Sequence, residues 1–187
     1  MRILGISGSL RADSHNTRLL REAALQLPPG AELVIYDAAA LKAIPPFDED
    51  DEHDPAEAVE ALRETIAQAD AVLFATPEYN GSVPGALKNA LDWVSRPVAT
   101  NTLRNKPVAV VGASTGLFGA VWAQAELRKV LQTIGARVVD RELPLVQAHE
   151  RWDDEGRLAE PELREQLADH VSALVDATAA LDPRVTA

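Results

Sequence analysis

The chain contains 187 residues, of which 47% are hydrophobic, and this is enough for one folded domain with a substantial core. Lysine and arginine together number 18 against 29 aspartate and glutamate residues, and the net charge of −11 argues against nucleic acid and anionic membranes as partners. With no cysteine, and with four histidines that lack metal-ligand spacing, we expect neither a disulfide nor a bound metal.

The first strand and the loop that follows it contain a candidate anion site. Residues 2–6 predict a short buried strand and residues 17–27 predict a helix, with a loop rich in hydroxyl groups between them. The first N–H groups of a helix lack partners within the helix and favour negative charge, so this loop predicts phosphate binding. The side chains that suit a phosphate are Ser9, Arg11, Ser14, Asn16 and Thr17. Alternatively, Ser14 or Asn16 only caps the helix and Arg11 is solvated.

The next region combines a second strand with a long acidic loop. Residues 33–36 predict the strand, and residues 41–54 predict a loop whose acidic run, 48–54, is expected to be solvated. Pro55 suits the first position of the following helix. The predicted buried stripe of that helix consists of Val59, Leu62 and Ile66.

A second candidate site follows the central strand. Residues 71–76 are almost entirely apolar, as a parallel strand buried on both faces requires. The loop at residues 77–85 holds two prolines and two glycines, which predicts a defined loop shape. Residues 86–95 predict a helix, and its buried residues are expected to be Leu87, Leu91, Trp93 and Val94.

A third loop, residues 112–119, lies between a strand predicted at residues 107–111 and a helix predicted at residues 120–134. The helix ends at Gly135, a residue typical of the position just after a helix. Its core stripe is predicted to be Leu127, Leu131 and Ile134. The region carries further apolar residues, which predict either contact with a partner subunit or packing within one chain: Phe118, Val121, Trp122 and Ala125.

The C-terminal part completes the alternation of strands and helices. Residues 137–139 begin the last strand, residues 143–146 continue or terminate it, and residues 150–159 are interpreted as a polar connector. Pro161 opens a final helix, and residues 182–187 are expected to fray. The residues spaced for the buried face of that helix are Leu163, Leu167, Val171, Leu174 and Leu181.

Five strands that alternate with helices predict a doubly wound α/β sandwich, with a parallel sheet in the order 2-1-3-4-5 and helices on both faces. Ligands of such sheets bind beyond the carboxyl ends of the strands, near the switch between strands 1 and 3. The three unusual loops follow strands 1, 3 and 4, so we expect them to meet at one site. No linker divides the chain and no stretch has the length of a membrane span, so we expect a single cytoplasmic domain over residues 1–187.

Two stretches resemble the NADPH-dependent FMN reductase family of flavodoxin-like proteins, which includes quinone, chromate and azo-dye reductases. The first is Gly8-Ser9-Leu10-Arg11 with Ser14 and Asn16, and the second, longer and more specific, covers residues 77–93. In element order the resemblance spans residues 1–146. It implies FMN as the cofactor, NADPH or NADH as the electron donor, a small-molecule electron acceptor, and a homodimer or homotetramer.

The resemblance also implies roles for individual residues. The FMN phosphate would be held by Ser9, Arg11, Ser14 and Asn16, with Leu10, His15 and Thr17 beside them. The isoalloxazine ring would be lined by Pro77, Glu78, Tyr79, Asn80 and Gly81, and its opposite edge closed by Ser114, Thr115 and Gly116. Hydride would pass from the nicotinamide to flavin N5 and then to a quinone, azo, metal-oxyanion or free flavin acceptor. Because the cofactor carries this chemistry, we predict no catalytic acid or base.

Two other functions fit parts of the sequence. Residues 112–116 match the G-x-S-x-G pattern of a hydrolase nucleophile elbow around Ser114, and Asp140 and His149 follow in the order of a catalytic triad. A flavodoxin-type electron carrier also binds FMN in an acidic chain, but it needs a protein redox partner and no nicotinamide. Bleaching of bound flavin by NADPH or NADH alone separates the reductase from the carrier.

Overall fold

A computed structural model describes residues 1–181, and the predicted fraying of residues 182–187 lies outside this range. The strands are β1 (Arg2–Ser7), β2 (Glu32–Ile35), β3 (Ala71–Thr76), β4 (Pro107–Ala113), β5 (Arg137–Val138) and β6 (Pro144–Leu145). The helices are α1 (His15–Leu25), α2 (Ala38–Lys42), α3 (Glu57–Gln68), α4 (Gly85–Val94), α5 (Val121–Thr133) and α6 (Pro161–Ala179). The predicted alternation is confirmed, with one short helix, α2, added between β2 and α3.

The strands form one parallel sheet in the predicted order, β2-β1-β3-β4-β5, and β6 also pairs with β4. The predicted last strand is therefore present in two pieces. β5 lies beside the start of β4, where Pro107 pairs with Arg137, and β6 lies beside its end, where Gly112 pairs with Pro144. Every residue of β3 and β4 is buried, because strands on both sides and helices on both faces exclude water.

A buried glutamine occupies the interruption between β5 and β6. Gln124 of α5 is fully buried, and its Oε1 accepts a hydrogen bond from the Leu143 N–H at 3.3 Å. Its Nε2 donates to the Gly119 carbonyl at 3.0 Å. A Cβ atom on Gly112 would lie 2.7 Å from this Nε2, so the glycine is what lets the amide approach β4. The amide thus satisfies the Leu143 N–H at the interruption and the Gly119 carbonyl in the loop before α5.

Two apolar layers sandwich the sheet. One lies under α2, α3, α4 and α5, and the other under α1 and α6. The buried stripe residues confirmed by the structure are Val59, Leu62, Ile66, Leu87, Leu91, Trp93, Val94, Leu127, Leu131, Leu167, Val171 and Leu174. Ile134 and Leu163 are only partly buried, and the prediction for Leu181 is wrong because this residue follows α6 and is 38% exposed.

Three local predictions are corrected. Pro55 does not open α3, which begins at Glu57 after Ala56. Leu41, predicted in a loop, is buried in α2, which Asp37 caps by accepting a hydrogen bond from the Ala39 N–H at 2.9 Å. A helix this short has too few residues to display a helical period in the sequence. Residues 150–159 are not a simple connector, since they form a tight turn that packs on α1.

No helix within residues 1–181 combines the length and the apolar character needed to cross a bilayer.

Candidate cofactor site

The loops after β1, β3 and β4 line one cleft of about 260 Å³ at the carboxyl edge of the sheet. The predicted site residues that lie on its wall are Ser9, Arg11, Ser14, His15, Asn16, Pro77, Glu78, Tyr79, Ser114 and Thr115. Ala113, which was not predicted, lies there as well. The predicted residues that lie off the wall are Leu10, Thr17, Asn80, Gly81 and Gly116. Residues from three distant parts of the chain therefore meet at one place, as the order of the strands requires.

The N-terminus of α1 forms one end of the cleft. Ser14 precedes the helix in an extended conformation, and its Oγ accepts a hydrogen bond from the Thr17 N–H at 3.2 Å. The N–H groups of His15 and Asn16 belong to the same first turn and have no acceptor within the helix. Because Ser14 accepts only from the Thr17 N–H, the N–H groups of His15 and Asn16 remain available to an anion.

Asn16 connects this helix to the end of β4. Its side-chain Nδ2 donates to the Ala113 carbonyl at 2.9 Å, and its Oδ1 accepts from the Ala113 N–H at 3.0 Å. The residue is 3% exposed, so both polar ends of the amide are satisfied inside the protein. The predicted phosphate contact of Asn16 stays a prediction, and in this arrangement it falls to the backbone N–H.

Positive charge collects at this end of an otherwise acidic chain. Arg11 lies on the cleft wall, and its Nη2 donates to the Asp13 carbonyl at 2.8 Å. The pKa of His15 is lowered by burial first, and then by the nearby Arg11, Arg18 and His149. These causes favour the neutral form of His15, and the two arginines bring positive charge to this end of the cleft.

Trp152 contacts His15 and was missed in the sequence. The indole Nε1–H donates to His15 Nδ1 at 3.0 Å, and the two rings are parallel within 5°. The guanidinium carbon of Arg18 lies 6.0 Å from the centre of the Trp152 ring. The signal available in the sequence was a lone tryptophan in a charged segment, a residue type that is rarely left in a solvated connector.

The loop after β3 forms the opposite end of the cleft and is a tight hairpin. Tyr79 and Ser82 exchange two backbone hydrogen bonds of 3.2 Å. Asn80 and Gly81 between them have φ angles of +54° and +75°, as a type I′ turn requires. The Asn-Gly pair is the sequence signal for this turn. Tyr79 is 52% exposed, so its ring lies on an open face of the site.

Two carboxylates hold this hairpin against α5. Glu78 Oε2 accepts hydrogen bonds from the N–H groups of Trp122 and Ala123, each at 3.0 Å. The residue before α5 is an alanine with no side-chain oxygen, so Glu78 caps the helix from another loop. This use of the Glu78 carboxylate was not predicted, because the two partners are 44 positions apart in the chain.

Glu126 makes the second connection. Its Oε2 accepts from the Ser82 hydroxyl at 2.6 Å and from the Val83 N–H at 3.2 Å. These two hydrogen bonds, the Ser82 bond first, lower the pKa of Glu126 below its usual value. The hairpin is therefore bonded to α5 at both of its ends.

The structure does not give Ser114 the surroundings of a hydrolase nucleophile. A nucleophile elbow passes directly from strand to helix, whereas α5 begins only at Val121. Backbone bonds join the Ser114 N–H to the Leu145 carbonyl at 3.2 Å and the Ser114 carbonyl to the Ala148 N–H at 2.9 Å. Within residues 1–181, the Nε2 atom of His149 pairs with Glu150 at 3.4 Å and makes no hydrogen bond to Ser114.

The sheet order and a cleft at the switch between β1 and β3 define a flavodoxin-like protein. The chain belongs to the family described as NADPH-dependent FMN reductase, whose sequence profile matches residues 1–150. The protein is accordingly an oxidoreductase of the FMN- and NAD(P)H-dependent kind.

The similarity to individual relatives extends over nearly the whole chain. An NAD(P)H-dependent FMN reductase of Pseudomonas aeruginosa is 42% identical, and the match covers 93% of each chain. A 2-hydroxy-1,4-benzoquinone reductase of a Burkholderia species is 34% identical over 89% of this chain and 90% of the relative. Among solved structures, the flavoenzyme NAD(P)H:(acceptor) oxidoreductase of Paracoccus denitrificans superimposes with a TM-score of 0.82 at 33% identity, covering 95% of this chain and 96% of the other.

Proposed function

We propose that the protein holds FMN in the cleft and passes two electrons from NADPH or NADH to a small acceptor, and that the acceptor is a quinone. The observation that carries the proposal is the meeting of three loops at one cleft with an anion-binding end and an open aromatic end. A relative that reduces 2-hydroxy-1,4-benzoquinone supports the choice of a quinone. Azo compounds, metal oxyanions and free flavin are the other acceptors to compare with it.

The donors in the cleft match the chemistry of FMN. The phosphate would lie at the start of α1, against the N–H groups of His15 and Asn16, with Ser9 and Arg11 beside it. The ring would lie between the hairpin at residues 77–81 and the loop at residues 114–116. The cleft volume of about 260 Å³ is just below the range of about 300–1,000 Å³ typical of cofactor pockets. A cleft of this size, open at the half-exposed Tyr79, would leave part of FMN uncovered.

The uncovered part allows two substrates to use the same place in turn. Bound FMN supplies the hydride-accepting and hydride-donating chemistry, so the protein needs only to bind, orient and expose the ring. Reduction of a quinone to a hydroquinone takes two electrons and two protons. NADPH or NADH provides a hydride, which is two electrons and one proton, and water provides the second proton. The half-exposed Tyr79 would contact whichever substrate is present.

The test is the visible spectrum of the FMN-loaded protein during anaerobic addition of NADPH or NADH. We expect the flavin absorbance to bleach without any added reductase and to recover when a quinone is added. Bound flavin that resists both nicotinamides would favour the electron carrier. If the protein does not bind FMN at all, the proposed cofactor site is wrong.

We also propose that the protein forms a homodimer or homotetramer through an apolar patch beside the ring end, consisting of Leu117, Phe118 and Trp122. These side chains are 71%, 59% and 52% exposed, and the rings of Phe118 and Trp122 pack together at 4.8 Å. Light scattering should give a smaller assembly for Trp122→Glu than for the wild type. Leu25→Glu is the matched control, because Leu25 is 60% exposed on α1, outside the patch.

A further inference from the structure

Residues 152–158 form a tight turn that packs on α1, and we call this segment the clasp. An antiparallel bridge joins its ends, Trp152 and Leu158. Asp153 Oδ1 accepts a hydrogen bond from the Arg157 N–H at 2.8 Å, and the Asp153 N–H donates to the Arg157 carbonyl at 2.9 Å. Leu158 is fully buried. The clasp therefore has a defined shape of its own and a side chain in the core.

A partly buried ion pair fixes the clasp to α1, with Glu22 inside the protein and Arg157 partly exposed. Glu22 is 2% exposed, and its two carboxylate oxygens accept from Arg157 Nε at 2.7 Å and Nη2 at 3.0 Å. Burial raises the pKa of Glu22, but the hydrogen bonds from Arg157 and Gln26 outweigh it, and the pKa is lowered. Such a two-pronged bond sets both distance and orientation. The clasp is thus held at a defined place beside the first helix.

The other end of the clasp reaches the cofactor cleft through a single hydrogen bond. Trp152 Nε1–H donates to His15 Nδ1 at 3.0 Å. An indole N–H only donates, so Nδ1 must be the unprotonated nitrogen of His15, and a neutral ring then carries its proton on Nε2. His15 lies on the cleft wall, and within residues 1–181 its Nε2 has no hydrogen-bond partner. A fixed and unused N–H donor therefore stands at the phosphate end of the cleft.

We propose that Trp152 is a positioning residue for the phosphate of FMN, because it holds His15 in the orientation and tautomer in which Nε2–H donates to a phosphate oxygen. The inference rests on the proposed function, since it assigns a role within the same site. It adds a residue that lies beyond the part of the chain matched by the family profile, which ends at residue 150.

Neighbouring groups support the assignment. The Arg18 guanidinium lies over the Trp152 ring, 6.0 Å from its centre, and keeps positive charge near the site without taking Nε2 as a partner. Two backbone N–H groups, the neutral imidazole and Arg11 would then surround an acceptor-rich phosphate with donors only. Riboflavin has the same ring system and lacks the phosphate. Comparing its affinity with that of FMN therefore distinguishes an effect at the phosphate end from an effect at the ring end.

The experiment compares the dissociation constants of FMN and riboflavin by fluorescence titration. Trp152→Phe keeps an aromatic ring in the clasp and removes the N–H together with the second ring of the indole. We expect FMN binding to weaken about threefold to tenfold, the effect of one lost hydrogen bond, and riboflavin binding to stay unchanged. His15→Phe should weaken FMN binding at least as much, and the double variant should equal His15→Phe, because Trp152 acts only through His15.

Trp122→Phe is the matched control, since it makes the same substitution in the apolar patch beside the ring end, off the cleft wall. Its ratio of FMN to riboflavin affinity should equal that of the wild type. The inference is overturned if Trp152→Phe leaves FMN binding unchanged, or if it weakens both ligands equally, as a merely structural role would. A wild-type protein that binds neither ligand would instead overturn the proposed function.

Discussion

The two ends of the cleft differ in how much of the protein surrounds them. At the phosphate end, Ser9, Ser14 and Asn16 are 4%, 1% and 3% exposed. At the ring end, Tyr79 is 52% exposed, and Trp122 in the patch beside that end is also 52% exposed. In the proposed function, the buried end would hold the phosphate of FMN in place, whereas the open end would let a nicotinamide leave and an acceptor enter. The difference supports the proposal that cofactor affinity and turnover depend on separate parts of one site.

The two ends are also assembled differently. The phosphate end joins β4 to α1 through Asn16 and joins the clasp to α1 through Trp152 and Glu22. The ring end depends on two carboxylates, Glu78 and Glu126, that bond the hairpin to α5. We expect substitutions at the first end to change cofactor affinity, and substitutions at the second end to change local stability and acceptor use.

The largest predicted effect is a loss of folding stability at acidic pH. This loss limits the pH range in which the two ends can be compared. His170 of α6 is 2% exposed, and burial, then Arg141 and Arg128, lower its pKa from 6.5 to about 4. Between these values the unfolded chain binds a proton that the folded chain does not, so stability falls as the pH falls through this window. The loss by pH 4 is on the order of 3 kcal/mol.

His170→Leu should remove this part of the pH dependence. Urea unfolding at pH 7, 5.5 and about 4.5 measures it as a flatter dependence of the unfolding free energy on pH. His53→Leu is the control, because His53 is exposed in the acidic loop. The prediction would be contradicted if the unfolding free energies of the wild type and His170→Leu changed with pH in parallel.

The second prediction tests the phosphate end directly. Arg11→Ala should weaken FMN binding by about 1.5–3 kcal/mol, the range for a hydrogen bond to a charged group, or roughly 10- to 150-fold. Riboflavin binding should change little, and fluorescence titration measures both. Arg21→Ala is the control, because Arg21 is exposed further along α1. Equal FMN affinity in the two variants would mean that Arg11 does not contact the phosphate.

The third and smallest effect belongs to the ring end. Glu78→Ala removes the cap of α5 and should lower the free energy of unfolding by about 1 kcal/mol. Glu49→Ala, which changes an exposed glutamate of the acidic loop, should leave stability unchanged. FMN affinity should fall less in Glu78→Ala than in Arg11→Ala. The opposite order would show that the two ends do not act separately.

Much of the fold was predictable because its signals are local. The apolar run at residues 71–76 identifies a central strand, and Ser14, one of the two predicted caps, precedes α1, which begins two residues before the predicted start at residue 17. The gap between β5 and β6 was not predictable, since it depends on the Gln124 amide reaching Leu143 from another element. Short helices such as α2 also escape sequence patterns, because five residues do not complete two helical turns.

The candidate site divides in the same way. The sequence by itself determined which three loops meet, since strand order and crossover handedness bring the ends of β1, β3 and β4 to one edge. Only the tertiary structure decided which side chains remain free to face a ligand. Asn16 and Glu78 are engaged by backbone groups of other elements, and Trp152 reaches His15 across 137 positions of the chain. Hydrogen bonds join atoms that are close in space. Because packing brings together elements that are far apart in the chain, these bonds cannot be predicted from sequence spacing.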